Sequence, residues 1–409
     1  MSIEFTNDSP GVTDVPGFRV GAAGCDIRNK GIERLDLALI VADQPCAAAG
    51  VFTTNDVKAA PVRISQALLQ SSHGRVRGVI ANSGNANACT SKQGDADAVQ
   101  MAQDAATATG YAAEAFLVCS TGRIGELLPM AKVSAGTQAA AARLSHAAEE
   151  GVRAAHAILT SDTRPKTCTA RFQWQGQTVT IAGFAKGAGM IEPNMATMLA
   201  FVCTDVAAEP AFLKTALKSA SDQSFNCVSV DGDMSTNDTV ILLASGASRV
   251  AVGPGAAAEL NQLFQEALDR ICFSLAEKIV GDGEKITKVV AVEVDGARTR
   301  ADAEKIARAV GNSLLVKSSW FGEDPNWGRL ADAAGYARTG LDEALLDIHY
   351  EDVPAVLGGR PLPENKPQWK EVVKARQFRV RLNLHLGSAK FRLLASDLTD
   401  GYVNYNKSE

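Results

Sequence analysis

The 409-residue sequence lacks the patterns that mark several large classes of protein. Its eight cysteines contain no CxxC pair and its five histidines no HExxH or HxH arrangement, so no metal site is expected. No apolar run reaches the ~18 residues that a membrane helix needs. The net charge is −5, which argues against a nucleic-acid surface built on phosphate contacts. We therefore expect a protein that acts on small molecules, without metal, membrane or nucleic acid.

Two features of the sequence are evidence about the cellular compartment: its first residues and the spacing of its cysteines. The segment from Met1 to Asp8 carries two acidic side chains and no basic one, unlike a secretory signal or an Arg-rich transit peptide. Cysteines without short spacings are typical of buried thiols in a reducing compartment. We expect a cytoplasmic protein.

Short apolar runs punctuated by glycine alternate with Ala-rich stretches along most of the chain, which indicates a mixed or layered α/β protein. Residues 76–81 and 95–109 predict a strand followed by a helix. Residues 137–159 predict one long Ala-rich helix. Residues 167–174 and 178–185 predict a hairpin.

Thr197 stands at the start of an apolar run, behind a glycine-rich loop that also contains Lys186. A β-branched residue in such a place is most often a strand former, and this structural interpretation stays open. If the chain were cut between Ala196 and Thr197, the new α-amine would lie beside the Thr197 hydroxyl. A free α-amine has a pKa of about 7.7–8.0, so it can serve as a general base. The alternative interpretation is therefore an N-terminal nucleophile.

Three other short segments admit both a structural and a functional interpretation. Residues 120–122, Ser-Thr-Gly, are either a turn or an oxyanion site of a hydroxyl and a glycine N–H. Residues 282–288 are either a solvated turn or a site where Glu284 binds a cationic group. Residues 229–238 look like a calcium loop but lack the terminal Glu of an EF-hand, so no metal is expected there.

Many ordered motifs give the chain a resemblance to a known family. The chain resembles the ornithine acetyltransferases of arginine biosynthesis, which are bifunctional glutamate N-acetyltransferases, from about Gly17 to Asn406. The motifs occupy residues 49–55, 82–90, 120–122, 160–163, 186–190, 193–199, 229–238, 282–284 and 324–329.

The resemblance implies a layered αββα-type sandwich, like that of N-terminal-nucleophile aminopeptidases, with a second, smaller α/β lobe. It implies self-cleavage before Thr197 into an α chain, 1–196, and a β chain, 197–409, that fold together. It also implies that the assembly contains two α chains and two β chains. By the same resemblance, Thr197 is expected to take acetyl from N2-acetylornithine and to pass it to glutamate. The resemblance also implies that Thr121 Oγ and the Gly122 N–H form the oxyanion pair. No cofactor is implied, and acetyl-CoA is left open as a second acetyl donor.

The same resemblance implies the substrate-binding residues, which besides Thr197 are Thr160, Lys186, Glu284 and Asn406. A fixed cation and a hydroxyl, Lys186 and Thr160, suit an amino-acid carboxylate. Glu284 matches the position that faces the δ-ammonium of ornithine, and Asn406 matches a substrate-contacting residue near the C-terminus.

Two departures from the family pattern put substrate selectivity in question. Arg123 follows Gly122 and places a long cation beside the oxyanion pair, and Lys285 follows Glu284 and could compete for its carboxylate. Two other functions remain open. One is an amidase or aminopeptidase that uses the same nucleophile for hydrolysis, and the other is a non-catalytic amino-acid-binding protein.

Overall fold

The computed structural model describes residues 2–112, 115–192 and 198–407, which form two compact units. The first unit comprises Met1–Gly187, Asn194–Asn226 and Met234–Ile279. The second, smaller unit comprises Ala188–Pro193, Cys227–Asp233 and Val280–Glu409. Both units contain chain from before and after residue 196. The predicted α/β class is confirmed.

The described strands and helices alternate along much of the chain. The strands are β1 (Glu4–Asn7), β2 (Phe18–Ala23), β3 (Leu37–Phe52), β4 (Arg75–Asn85), β5 (Phe116–Arg123), β6 (Lys166–Trp174), β7 (Gln177–Lys186), β8 (Leu199–Thr204), β9 (Val228–Ser229), β10 (Thr239–Ala244), β11 (Val289–Ala297), β12 (Asp347–Tyr350), β13 (Val353–Leu357), β14 (Arg360–Pro361), β15 (Gln377–Asn383) and β16 (Ala389–Ser396). The helices are α1 (Ala60–Ser71), α2 (Ser91–Thr109), α3 (Met130–Ala142), α4 (Ala148–Ala157), α5 (Pro210–Asp222), α6 (Ala258–Val280), α7 (Arg300–Asn312), α8 (Leu314–Phe321), α9 (Trp327–Tyr336), α10 (Lys366–Val372) and α11 (Asp400–Tyr405).

The first unit is built on one mixed sheet. Among the described residues its strand order is β1-β6-β7-β8-β10-β3-β4-β5, with β2 paired to β3. Alternate residues of β3 enter two different cores: Ala38 and Ile40 pack with α4, whereas Leu37 and Leu39 pack with α2 and α3. Because successive strand side chains point to opposite faces, this sheet is covered by helices on both sides.

The predicted hairpin and the predicted β-α unit are both confirmed. Strands β6 and β7 pair antiparallel, and β4 and β5 run parallel with α2 between them. The single helix predicted over 137–159 is wrong, since α3 and α4 are separated there. The backbone of Ser145 exchanges two hydrogen bonds with Val20 of β2, at 2.9 and 3.0 Å. Pairing with the edge strand thus overrides the local helix propensity of the Ala-rich sequence.

The second unit contains its own sheet, in the order β14-β13-β12-β15-β11-β16-β9 among the described residues. Strands β15 and β16 do not pair with each other. They flank β11, to which β15 is parallel and β16 antiparallel. Residues of α7, α8 and α9 pack on this sheet, including Ile306, Trp320 and Leu330. Within the described part of the chain, no helix is both long and apolar enough to cross a membrane.

Candidate active site

The predicted oxyanion residues lie at the end of a buried strand of the first unit. Ser120, Thr121 and Gly122 belong to β5 and pair with the end of β4, so they do not form the turn of the structural interpretation. Gly122 has φ +132°, and a Cβ there would lie 2.3 Å from the Gly84 carbonyl carbon. Glycine is therefore required at position 122 by the close approach of two backbones. The Thr121 side chain is buried at the same strand end.

The structure brings Lys186 to Thr121, although 65 residues separate them in sequence. Lys186 is the last residue of β7, and its Nζ donates a 3.4 Å hydrogen bond to Thr121 Oγ1. The Lys186 side chain is only 2% exposed. Its backbone partner across the sheet is Leu199, the first residue of β8. A buried ammonium group thus lies beside the predicted oxyanion hydroxyl.

Thr197 and Ala196, the predicted nucleophile and cleavage position, lie outside the described residues. The chain that follows them is firmly held. Met198 donates its backbone N–H to Asp238 Oδ1 at 3.0 Å, and its carbonyl accepts the N–H of Thr239 at 3.1 Å. Strands β8 and β10 are parallel neighbours that begin at Leu199 and Thr239. The segment after Thr197 and the segment before β10 therefore meet at one end of the sheet.

The sequence alone does not identify Asn237 and Asp238, which precede β10, as site residues. The Asn237 amide donates hydrogen bonds to the carbonyls of Ser120 (2.8 Å) and Ala86 (2.6 Å), so it ties this strand end to the chain preceding Thr121. Asp238 is completely buried, and among the described residues its Oδ2 has no hydrogen-bond partner. Burial raises the pKa of Asp238 well above its ordinary value, although the Met198 N–H and Lys186 oppose the shift. The signal in the sequence is their place directly before the largely apolar strand β10.

Asp162 is a second residue to which the sequence alone assigns no role. Its Oδ2 accepts the backbone N–H of Thr160 at 3.0 Å, and its Oδ1 accepts that of Gly187 at 2.6 Å. Oδ1 also accepts Lys166 Nζ at 2.7 Å, and Oδ2 lies 3.9 Å from Lys186 Nζ. Burial opposes ionisation, but Lys186, Lys166 and the hydrogen bonds outweigh it and hold the pKa of Asp162 well below 3.8. The signal was its position in the Thr-Ser-Asp-Thr motif of residues 160–163.

The other two predicted substrate residues meet within the second unit. Asn406 Nδ2 donates to Glu284 Oε2 at 3.1 Å, and the Glu284 backbone N–H donates to the Ala188 carbonyl at 3.0 Å. A Cβ at Gly189 would lie 2.5 Å from the Glu284 carboxyl group, so glycine leaves room for this side chain. Glu284 and Asn406, each predicted from the resemblance to bind substrate, are thus in direct contact.

Arg123 and Lys285, the two cations that depart from the family pattern, each contact another side chain. Arg123 lies 3.6 Å from Glu126 in an exposed ion pair, which contributes at most about 1 kcal/mol to stability. Lys285 has φ +56°, and its Nζ lies over the Tyr405 ring, 5.2 Å from the centroid. The Lys285 ammonium is thus placed against an aromatic ring, while the Glu284 carboxylate bonds Asn406.

In the segment that resembles a calcium loop, residues 229–238, the carboxylates of Asp231 and Asp238 accept hydrogen bonds from backbone N–H groups. Asp231 accepts the N–H groups of Met190 (2.6 Å) and Ile191 (2.7 Å), and the hydroxyl of Tyr402 at 3.2 Å. Asp238 binds Met198 in the same way. In the described ranges, no group of three or more His, Cys, Asp or Glu side chains is arranged to hold a metal ion.

Comparison with known proteins gives the family. The ArgJ family matches residues 19–408. The arginine biosynthesis bifunctional protein ArgJ of Symbiobacterium thermophilum is 46% identical over 399 residues, which are 97% of this chain and 98% of the relative. The protein of the same name from Geobacter sulfurreducens is 45% identical over 397 residues, 96% of this chain and 98% of the relative. The solved structure of Bacillus halodurans ArgJ, 33% identical, covers 51% of this chain and 98% of its own, with a TM-score of 0.49.

The chain belongs to the ArgJ family. The resemblance to the ornithine acetyltransferases, predicted from ordered motifs, is thereby confirmed.

Proposed function

We propose that this chain is an acetyltransferase of arginine biosynthesis that moves acetyl from N2-acetylornithine to glutamate through an acyl-enzyme on Thr197. The observation that carries the proposal is the buried contact between Lys186 Nζ and Thr121 Oγ1, 3.4 Å. Lys186 is predicted to bind substrate and Thr121 to stabilise the oxyanion, and the two residues are far apart in sequence. Their contact at one end of the sheet favours a single site that serves both roles.

Before the first turnover, the peptide bond between Ala196 and Thr197 is hydrolysed, which consumes one water and leaves a carboxylate on Ala196 and a free α-amine on Thr197. The freed α-amine of Thr197 takes the proton of its own hydroxyl, and Oγ attacks the acetyl carbonyl of N2-acetylornithine. The negative charge that develops on the carbonyl oxygen is met by Thr121 Oγ and the Gly122 N–H. Such donors are worth about 3 kcal/mol each in comparable sites. The C–N bond breaks, the departing amine takes the proton, and ornithine leaves an acetyl ester on Thr197.

The second half of the cycle repeats these steps with a new amine. The amino group of glutamate attacks the ester carbonyl, the C–O bond to Thr197 breaks, and Oγ recovers a proton as N-acetylglutamate leaves. We assign the carboxylate shared by both amino acids to Lys186 and Thr160. We assign the side-chain ammonium of ornithine to Glu284 and its neighbour Asn406. A buried ammonium and an oriented carboxylate suit these two charges of opposite sign.

The working molecule consists of an α chain, 1–196, and a β chain, 197–409, that remain in one folded body, two of each. The β chain begins with the nucleophile, so cleavage creates the catalytic base in the same step. We extend the proposal to acetyl-CoA as a second acetyl donor, because attack of Thr197 Oγ on its thioester would break the C–S bond, release the thiol and give the same acyl-enzyme.

The test compares wild type with Thr197→Ala and Thr197→Ser. Intact mass should show two fragments for wild type and a single full-length chain for Thr197→Ala, which should also be inactive. Thr197→Ser keeps a hydroxyl beside the α-amine and should still be cut and active, which makes it the matched control. A fully active, uncut Thr197→Ala protein would refute the proposal.

A donor assay defines the reaction class in the same preparations. N2-acetylornithine and acetyl-CoA are offered separately with and without glutamate, and N-acetylglutamate and acetate are measured. Transfer that depends on glutamate supports the proposal. Release of acetate at the same rate with or without glutamate would instead indicate a hydrolase.

A further inference from the structure

Three charged side chains of the first unit lie together in its interior. Asp162 and Lys166 are 0% exposed and Lys186 is 2% exposed. One carboxylate therefore faces two ammonium groups, at 2.7 Å from Lys166 and 3.9 Å from Lys186. Buried charges are costly unless they are paired, so this arrangement requires an explanation.

The Asp162 carboxylate also holds the backbone at two places that flank the proposed carboxylate-binding pair. Oδ2 accepts the Thr160 N–H, and Oδ1 accepts the N–H of Gly187, the residue directly after Lys186. A single side chain thus contacts the segments of both Thr160 and Lys186. Its four interactions use both oxygens, so rotation of the carboxyl group would break several of them at once.

The charge of the cluster is one carboxylate against two ammonium groups, which leaves one positive charge. Asp238 is a further acidic group whose charge acts on Lys186, and burial raises its pKa well above the ordinary value, which favours its neutral form. The Lys166 ammonium is the closer partner of Asp162 and also donates to the Arg164 carbonyl at 3.3 Å. Lys186 is held at the longer distance, where it also donates to Thr121.

We propose that Asp162 is a positioning residue for acetyl transfer. Its carboxylate interacts with both Lys166 and Lys186, and this shared interaction keeps the Lys186 ammonium beside Thr121 to receive the substrate carboxylate. Lys166 neutralises the carboxylate, so Lys186 is oriented by Asp162 without being drawn into a close ion pair with it. This inference rests on the proposed function for the identity of the anion. The arrangement of the three charges itself comes from geometry alone.

The main test variant is Asp162→Asn combined with Lys166→Met. It removes one negative and one positive charge, so the cluster keeps its net charge and avoids two unbalanced buried cations. We expect KM for both N2-acetylornithine and glutamate to rise about tenfold or more, equivalent to about 1.4 kcal/mol, with a smaller change in kcat. Both substrates are affected because both carry the carboxylate. Wild-type KM values in this variant would overturn the proposal.

Lys166→Met alone is the second variant, which keeps the carboxylate and its backbone hydrogen bonds. Asp162 then has Lys186 as its ammonium partner, and we expect Lys186 to move toward it and away from Thr121, again raising both KM values. The matched control is Asp14→Asn, which removes a carboxylate that bonds Thr169 Oγ1 at 2.6 Å and pairs with Arg171. That variant should lose stability while both KM values stay at the wild-type level.

A crystallographic readout separates failure of this inference from failure of the proposed function. In the double variant, the distance from Lys186 Nζ to Thr121 Oγ1 should exceed hydrogen-bond range, whatever reaction the protein catalyses. An unchanged distance would overturn the positioning role even if acetyl transfer is confirmed. Absence of transfer in wild type together with a displaced Lys186 would refute only the proposed function.

Discussion

Replacement of Asn237 by Ala is expected to weaken both the fold and the site. Asn237 is 4% exposed, and its side-chain amide donates to the carbonyls of Ser120 and Ala86 at 2.8 and 2.6 Å. Its Oδ1 accepts the Thr236 hydroxyl at 2.6 Å. Alanine removes these hydrogen bonds and leaves two carbonyl oxygens without this donor. At about 1–3 kcal/mol for each unsatisfied buried group, the free energy of unfolding should fall by about 2–6 kcal/mol.

Loss of the hydrogen bond to the Ser120 carbonyl should also lower kcat, because Ser120 directly precedes Thr121. Urea denaturation measures the stability change, and steady-state kinetics at a temperature where the variant is folded measure kcat. The control is Asn261→Ala, since Asn261 exchanges hydrogen bonds with the Gly253 N–H (2.8 Å) and carbonyl (3.0 Å) in the same unit. The control should lose stability but keep kcat. Wild-type stability and kcat in Asn237→Ala would refute the reasoning.

Two further predictions concern charge. Burial raises the pKa of Asp205 from 3.8 to about 6, against the hydrogen bond from the Thr180 N–H. The pKa of Asp205 is higher in the folded than in the unfolded protein, so ionisation of this carboxyl group destabilises the fold. As pH rises from the unfolded pKa to the folded pKa, the free energy of unfolding falls progressively, and above the folded pKa the loss is constant. Asp205→Asn should therefore raise the free energy of unfolding by about 2–3 kcal/mol at pH 8 but not at pH 3.5; equal gains in urea denaturation at both pH values would contradict this. Glu284→Gln keeps an acceptor for Asn406 but removes the charge, so KM for N2-acetylornithine should rise about tenfold while KM for glutamate is unchanged; equal rises for both substrates would rule out the assignment.

Local patterns sufficed for much of the fold. The hairpin of β6 and β7 follows from alternating residues around a Gln-Gly turn, and the β4-α2-β5 unit follows from an apolar run before an Ala-rich helix. The error at residues 137–159 has a long-range cause, since the edge of β2 pairs with Ser145 and breaks the helix. Helix propensity contains no information about such a partner 125 residues away.

The candidate site was predictable where a residue type is chemically distinctive. Thr121, Lys186, Glu284 and Asn406 were found through motifs, and the structure joins them in two contacting pairs. Asp162 could not be assigned, because its importance depends on distant groups that converge on one carboxylate. The same holds for Asn237, whose partners are Ser120 in β5 and Ala86 directly after β4.

The most direct test of the account is the mass of the fragment that begins at Thr197 after exposure to N2-acetylornithine without glutamate. We expect that fragment to gain the mass of one acetyl group, to release it when glutamate is added, and to yield N-acetylglutamate in equal amount. A fragment that never carries acetyl while N-acetylglutamate accumulates would contradict the acyl-enzyme on Thr197.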